Sequence, residues 1–190
     1  ETFNVLVPQV SGLKGQLLAN LKLSGTTDKP NAQGSVSLNG GALNIAEIGL
    51  QLQQLTLNAQ SSGDRIQLTG GVKSGAGSLK LNGALNLTEG FPLELSVIGE
   101  NFEVAKRPDA EVAISPQLKL NYNNTAANLT GKILVPKAVI QLQEIPESAI
   151  AVSSDEVIIG ETEEQTDNKP PTAINAKIDI ELGKNVNFTG

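Results

Sequence analysis

Across residues 13–25 every odd position is apolar or glycine: Leu13, Gly15, Leu17, Ala19, Leu21, Leu23 and Gly25. The even positions are mostly polar (Lys14, Gln16, Asn20, Lys22, Ser24), with Leu18 the exception. A period of two is the mark of a strand with one greasy face and one wet face. At about 3.3 Å per residue such a strand reaches roughly 40 Å, well beyond the usual five or six residues. A turn follows over residues 26–30. The alternation then resumes at Gly34, Val36, Leu38 and Gly40, and again at Leu43 and Ile45.

The rest of the chain copies this stretch, so the fold class is all-β. Ile48, Leu50 and Leu52 occupy even positions, whereas Leu55, Leu57 and Ala59 are odd. The switch at Gln53-Gln54 predicts a bulge or bend, because a smooth strand would turn one of those sets into water. Turns are expected over residues 61–64 and at Gly75-Ala76-Gly77. Further alternating runs are Ile66, Leu68 and Val72; Leu79, Leu81, Leu85 and Leu87; Leu93, Leu95 and Val97; then Phe102 and Val104. Val112, Ile114, Leu118, Leu120 and Tyr122 share a face, with Pro116 pointing to a kink or an edge position. Leu129, Ile133 and Val135 continue, Pro136 restarts the register for Ala138 and Ile140, and Ile174, Ala176, Ile178, Ile180 and Leu182 form the last strand. A pattern of apolar, any, apolar, Ser/Thr/Asn, Gly recurs at 21–25, 36–40, 66–70, 79–83, 127–131 and 186–190. Its uneven spacing excludes a rigid solenoid. It reads as a strand-ending habit, two inward side chains and then a glycine at which the chain turns.

Composition narrows what such strands can do. Aromatics are 3% of the residues, so any core is aliphatic. The net charge of −6 is concentrated in residues 155–171, where six acids face one lysine. The remainder is close to neutral and offers nucleic acid no electrostatic footprint. Three segments are expected: a β unit over 1–152, an acidic mobile loop over 153–172, and final strands of the same unit over 173–190. The chain starts and stops in strand-like text (residues 2–7 and 186–190), as a fragment of a longer polypeptide would.

No catalytic or metal-binding constellation is expected, and no cofactor. The chain has neither His nor Cys, which removes the usual general base, thiolate and soft metal ligands. Ser11 and Lys14 match a Ser-x-x-Lys pattern, but that chemistry needs a helix start, and here the pair opens a strand. Gly75-Ala76-Gly77 lacks the following helix of a phosphate loop. Asp155-Glu156 and Glu163-Glu164 fall in the predicted loop, without the fixed geometry that calcium or acid–base work requires. The Asn-x-Ser/Thr sites at Asn86, Asn123, Asn128 and Asn187 lie in or beside strands, where such triplets arise by chance.

The apolar face itself needs a cover. Burying a Leu or Ile is worth about 1.5 kcal/mol or more, so leaving even a third of this face in water would cost on the order of 15 kcal/mol. That exceeds the stability of a typical domain. Three architectures answer the need: a β-sandwich, which the pattern alone favours, a transmembrane barrel, or one strongly curved sheet with an apolar trough. The barrel lacks its aromatic girdles, with one Tyr and no Trp. A sandwich would suit an adhesin or a carbohydrate-binding module, although the few aromatics form no local cluster for stacking sugars.

Specific residues carry a family resemblance. Leu21, Leu23, Gly25-Thr26, Pro30, Gly34, Val36, Leu38, Gly41, Leu43 and Ile45 are spaced as in the C-terminal region of TamB, of the AsmA-like family. So are Ser74-Gly75, Gly77, Leu79, Leu81 and Gly83, and Ser115-Pro116, Leu118 and Leu120. The most specific run is Val135-Pro136, Ala138, Ile140, Ile145-Pro146, Ser148-Ala149, Val152-Ser153 and Asp155. Gln117 stands where such proteins usually carry Asp. The resemblance implies the third architecture, a taco-like curved sheet forming an open groove. It also implies a non-enzymatic protein anchored in the inner membrane of a Gram-negative bacterium and crossing the periplasm. There it would meet a TamA-like outer-membrane protein of the BamA family. It would serve outer-membrane protein and autotransporter assembly, and phospholipid transport between the membranes. The groove would shelter acyl chains or nascent β-strands. Its expected lining is Leu17, Leu21, Leu23, Val36, Leu38, Leu43, Ile45, Leu55, Leu57, Ile66, Leu68, Leu79, Leu81, Leu85, Leu93, Leu95, Val112, Ile114, Leu118, Leu120, Leu129, Ile133, Ile140, Ile178 and Ile180.

Overall fold

The computed structural model describes residues 10–27, 29–141 and 173–189. The alternating runs become ten strands: β1 (Val10–Gly25), β2 (Pro30–Ile45), β3 (Leu50–Gly63), β4 (Arg65–Ser74), β5 (Gly77–Asn86), β6 (Leu93–Glu100), β7 (Phe102–Lys106), β8 (Ala110–Tyr122), β9 (Ala126–Gln141) and β10 (Ala173–Thr189). They form a single sheet in the order β1-β2-β3-β4-β5-β6-β8-β9-β10, with β7 also paired to β8. Neighbours are antiparallel except β9 and β10, which run parallel. The predicted acidic loop lies outside the described residues.

Two expectations about shape are corrected. The sandwich is excluded for the described residues, because all ten strands lie in one layer. Among the described residues the strongly curved trough is not formed either. β1 packs against β2 and β10 against β9, and the two edges do not approach each other closely enough to close or roll the sheet.

The sheet is creased instead. Register shifts interrupt β1–β2 between Lys14 and Gln16, β2–β3 between Leu38 and Gly41, and β3–β4 between Gln53 and Thr56. Others fall in β8–β9 between Ala113 and Ser115 and in β9–β10 between Leu182 and Asn185. Between β6 and β7 the chain kinks at Asn101, whose φ is 47°. These irregularities follow one line across the sheet, and a bulged strand bends. The hairpin of β4 and β5 ends near that line, at Gly75-Ala76, so β3 and β7 extend past its tip. They come together there. β7 touches β3, β4, β5 and the short 3₁₀ turn Ala46–Ile48, and the Arg107 Nη1 donates to the Glu47 carbonyl at 2.9 Å. Leu50 and Phe102, the large apolar side chains buried among the described residues, lie at this convergence.

Local chemistry explains several departures from the sequence pattern. Ile48 belongs to the 3₁₀ turn rather than to a strand, and Gly49 leaves that turn in the left-handed region at φ 64°. The turn after β3 is tighter than expected, confined to Gly63-Asp64. Pro116 is not on an edge; it sits in central strand β8 and pairs with Ile133. Its ring faces Gly99, where the β6–β7 kink has already broken the ladder, so the missing N–H leaves no partner stranded. Ser115 compensates on the same side, its Oγ accepting from the Asn101 N–H at 2.9 Å.

The recurring glycines are corrected too. Gly25 ends β1, but Gly70, Gly83 and Gly131 lie within strands. Gly83 pairs with Leu68 on one side and Leu95 on the other, and a Cβ there would sit 2.5 Å from Leu95 Cδ2. Gly83 thus makes room on the apolar face for a leucine of the adjacent strand, whereas Gly70 and Gly131 are held by close backbone approach, to the Thr56 carbonyl and to the β8 backbone at Gln117-Leu118, and Gly131 has a φ of 139°. Gly99, like Gly83, makes room, here for Leu79 and for the Pro116 ring, 2.9 Å from where a Cβ would stand. Gly99→Val should therefore destabilise the sheet by about 1–3 kcal/mol, the usual cost of overpacking. Urea denaturation should show a lower midpoint with an unchanged slope.

Candidate functional site

Paired residues in a sheet point to the same side, so the register identifies which side chains share a face. One row runs Leu17, Leu38, Leu57, Gly70, Leu81, Val97, Leu118, Gly131 and Ile178, crossing nine strands without a polar residue. The next row is Ala19, Val36, Ala59, Leu68, Gly83, Leu95, Leu120, Leu129 and Ala176. A third begins Leu21, Gly34, Ser61, Ile66, Leu85 and Leu93 and ends Tyr122, Ala127 and Ile174.

The crease preserves this face. The bulge at Gln53-Gln54, with Gln54 at φ 51°, shifts parity so that Leu52 pairs with Leu43 while Leu55 pairs with Gly41. The shift at Pro136 does likewise in β9, placing Ala138 opposite Val112 and Ile140 opposite Ala110. Leu43, Ile45, Val112, Ile114 and Ile140 therefore join the same side as Leu23, Leu79, Ile133 and Ile180. Register brings the residues expected to share a face onto one face. Several that the expected lining omitted stand there too: Leu50, Leu52, Val72, Val97, Phe102, Tyr122 and Leu182. For Phe102 the available signal was Asn101, a residue tolerant of positive φ, which marks the kink that re-aims the following side chain. In β7 the partner of Val112 is Ala105, not Val104, because the register slips between Glu103 and Ala105.

No second layer covers this face among the described residues. Leu17 and Leu23 on β1 are 67% and 71% exposed, and Ile174 and Ile180 on β10 are 81% and 67% exposed. Toward the middle of the sheet the same face is half-buried by its neighbours, with Leu81, Leu95, Leu118 and Leu120 all intermediate. The opposite face is mostly polar, with Leu18 and Ile98 exposed among its polar residues. One of its rows reads Asn20, Ser35, Gln60, Gln67, Ala84, Glu94, Asn121, Asn128 and Asn175, and Asn175 Nδ2 donates to Asn128 Oδ1 at 3.1 Å.

Electrostatics play a local part at the β7–β8 turn. Hydrogen bonds from the Arg107 guanidinium, 2.9 Å and 3.0 Å to the Asp109 carboxylate, hold Asp109 below the ordinary carboxylate range. Lys137, 2.7 Å away, does the same for Glu111. Both pairs are exposed, so they orient the turn and contribute little to stability. Among the described residues no group of three His, Cys, Asp or Glu could hold a metal ion, and no helix is long and apolar enough to cross a membrane.

Against this geometry the comparisons are specific. The model of the TamB C-terminal domain matches residues 64–190, about two thirds of the chain. The chain belongs to the TamB family. A curated relative, "Translocation and assembly module subunit TamB" of Haemophilus influenzae, is 25% identical over 158 residues. That match covers 82% of this chain but 12% of the relative, so the chain spans about an eighth of that TamB protein. No solved structure matches the chain.

An uncovered apolar face should bind apolar probes in the native state. An environment-sensitive naphthalene-sulfonate dye should fluoresce with the folded protein, and the double variant Leu57→Glu/Leu81→Glu should lose most of that signal. Equal fluorescence from wild type and variant would place the dye elsewhere.

Proposed function

We propose that this chain is a non-enzymatic, open apolar β-surface of a TamB-type protein, and that its apolar face shelters hydrophobic cargo across an aqueous space. The observation that supports this most directly is the face itself, continuous over nine strands and, among the described residues, bare of any second layer. Attraction to such a surface is non-directional and proportional to apolar area removed from water, which suits acyl chains and the greasy sides of nascent β-strands. Leu38, Leu57, Leu81, Leu95, Leu118 and Leu120 form the middle of the lining, and the leucines and isoleucines of β1 and β10 its margins.

The TamB-named relative is a subunit of a translocation and assembly module. By that kinship the full-length protein works in a Gram-negative cell envelope, anchored in the inner membrane and crossing the periplasm. It meets a TamA-like protein of the BamA family at the outer membrane. Its work is assembly of outer-membrane proteins and autotransporters and transfer of phospholipid between membranes. Both edge strands are unpaired on their outer sides among the described residues, which also allows a client strand to be taken up by β-augmentation.

Leu57→Glu, Leu81→Glu and Ile114→Arg place a charge where apolar cargo would lie, at a cost of several kcal/mol of desolvation. Introduced into the full-length protein, each should abolish support of outer-membrane assembly while the fold persists, as judged by circular dichroism. Mass spectrometry of gently purified wild-type protein should find lipid that the variants lack. A folded Leu81→Glu chain with full activity would refute the lining role.

A further inference from the structure

The polar face carries a cationic cluster that the apolar surface does not use. On the side facing away from the leucine rows, Ser96, Lys119, Thr130 and Lys177 stand in one row across β6, β8, β9 and β10, alternating hydroxyl and ammonium. Lys132 stands in the adjacent row, beside Asp179. These six residues border a concavity of about 430 Å³. Thr130 thus has a lysine on each neighbouring strand and a third two residues along its own strand. Like charges this close across a sheet repel. None of the three lysines forms an ion pair within 4 Å among the described residues, whereas Lys106, Arg107 and Lys137 all do. Three ammonium groups and the Asp179 carboxylate leave a local charge of +2.

We propose that this concavity binds a phosphomonoester dianion. The charge matches, since such a group carries about −1.5 to −2 at neutral pH and presents three strong acceptor oxygens. The donors match as well: three flexible ammonium groups act as point-charge phosphate binders, and the hydroxyls of Thr130 and Ser96 supply neutral donors between them. A carboxylate has one charge and two oxygens and would leave part of the cluster unsatisfied. A soluble phosphate and the headgroup of a phosphatidic-acid-type lipid offer the same chemistry, and the test separates them.

Inorganic phosphate titrated into the ¹⁵N-labelled protein at low ionic strength should shift the amides of Thr130, Gly131, Lys132 and Lys177 saturably. The double variant Lys119→Gln/Lys177→Gln should bind on the order of tenfold more weakly or worse. Lys22→Gln and Lys73→Gln, on the same face but remote from the cluster, should bind as wild type. Co-sedimentation with phosphatidic acid vesicles, against phosphatidylcholine alone, identifies the source. Vesicle binding that the double variant loses assigns the site to a lipid headgroup, and saturable phosphate binding without it assigns a soluble ligand. Non-saturable shifts, or shifts equally strong with chloride, together with vesicle binding indifferent to the double variant, would overturn the proposal. Amide positions of the remaining strands report whether the variant stays folded.

Discussion

One constraint governs this molecule: a sheet has two sides, and the alternating leucines and isoleucines of each strand must stay on the same one. In a single layer a one-residue slip anywhere would turn a whole strand's leucines from one side to the other. The structure meets that demand even where the strands are irregular. Leu50 and Leu52 would oppose Leu55 and Leu57 in a smooth strand, and the bulge at Gln53-Gln54 restores them. The shift at Pro136 does the same for Ala138 and Ile140. The bulges therefore have two effects at once, bending the sheet along a line and keeping its apolar rows in step.

Much of this was legible in the chain, and the reasons for the exceptions are physical. Alternation is a property of each strand alone, so strands and their shared face could be read directly, and a parity switch announces its own bulge. Partners are not local. Pro116 fits a kink or an edge equally well in the sequence, because nothing in its own strand shows that β6 and β7 part company opposite it. Gly70, Gly83 and Gly131 read as strand ends in the sequence because the backbone and the leucine that crowd them belong to other strands. Architecture was the least legible level. A sandwich, a curled trough and an open creased sheet all need the same alternation, and only the pairing order and the exposure of the edge strands distinguish them.

The two faces divide the chemistry. One offers Leu, Ile and Val with glycines between them, a surface with area but no directionality. The other offers amides, hydroxyls and lysines, with Lys119, Lys132 and Lys177 gathered around Thr130. Where β3 and β7 converge past the β4–β5 tip, Phe102 and Leu50 find the burial that most of the apolar face lacks. The remainder stays half-covered or exposed, which a protein tolerates when something else is meant to cover it.

The central claim is that the leucine side faces outward rather than into a sealed interior, and spin labelling tests it most directly. The chain has no cysteine, so a nitroxide can be attached singly at position 81 on the apolar side and at position 80 on the polar side. The account predicts that both labels are accessible to oxygen in water. It further predicts that adding short-chain phospholipid shields position 81 from a water-soluble nickel relaxant and leaves position 80 unaffected. A label at position 81 that is immobile and inaccessible to both agents before any lipid is added would mean a closed core, and would contradict it.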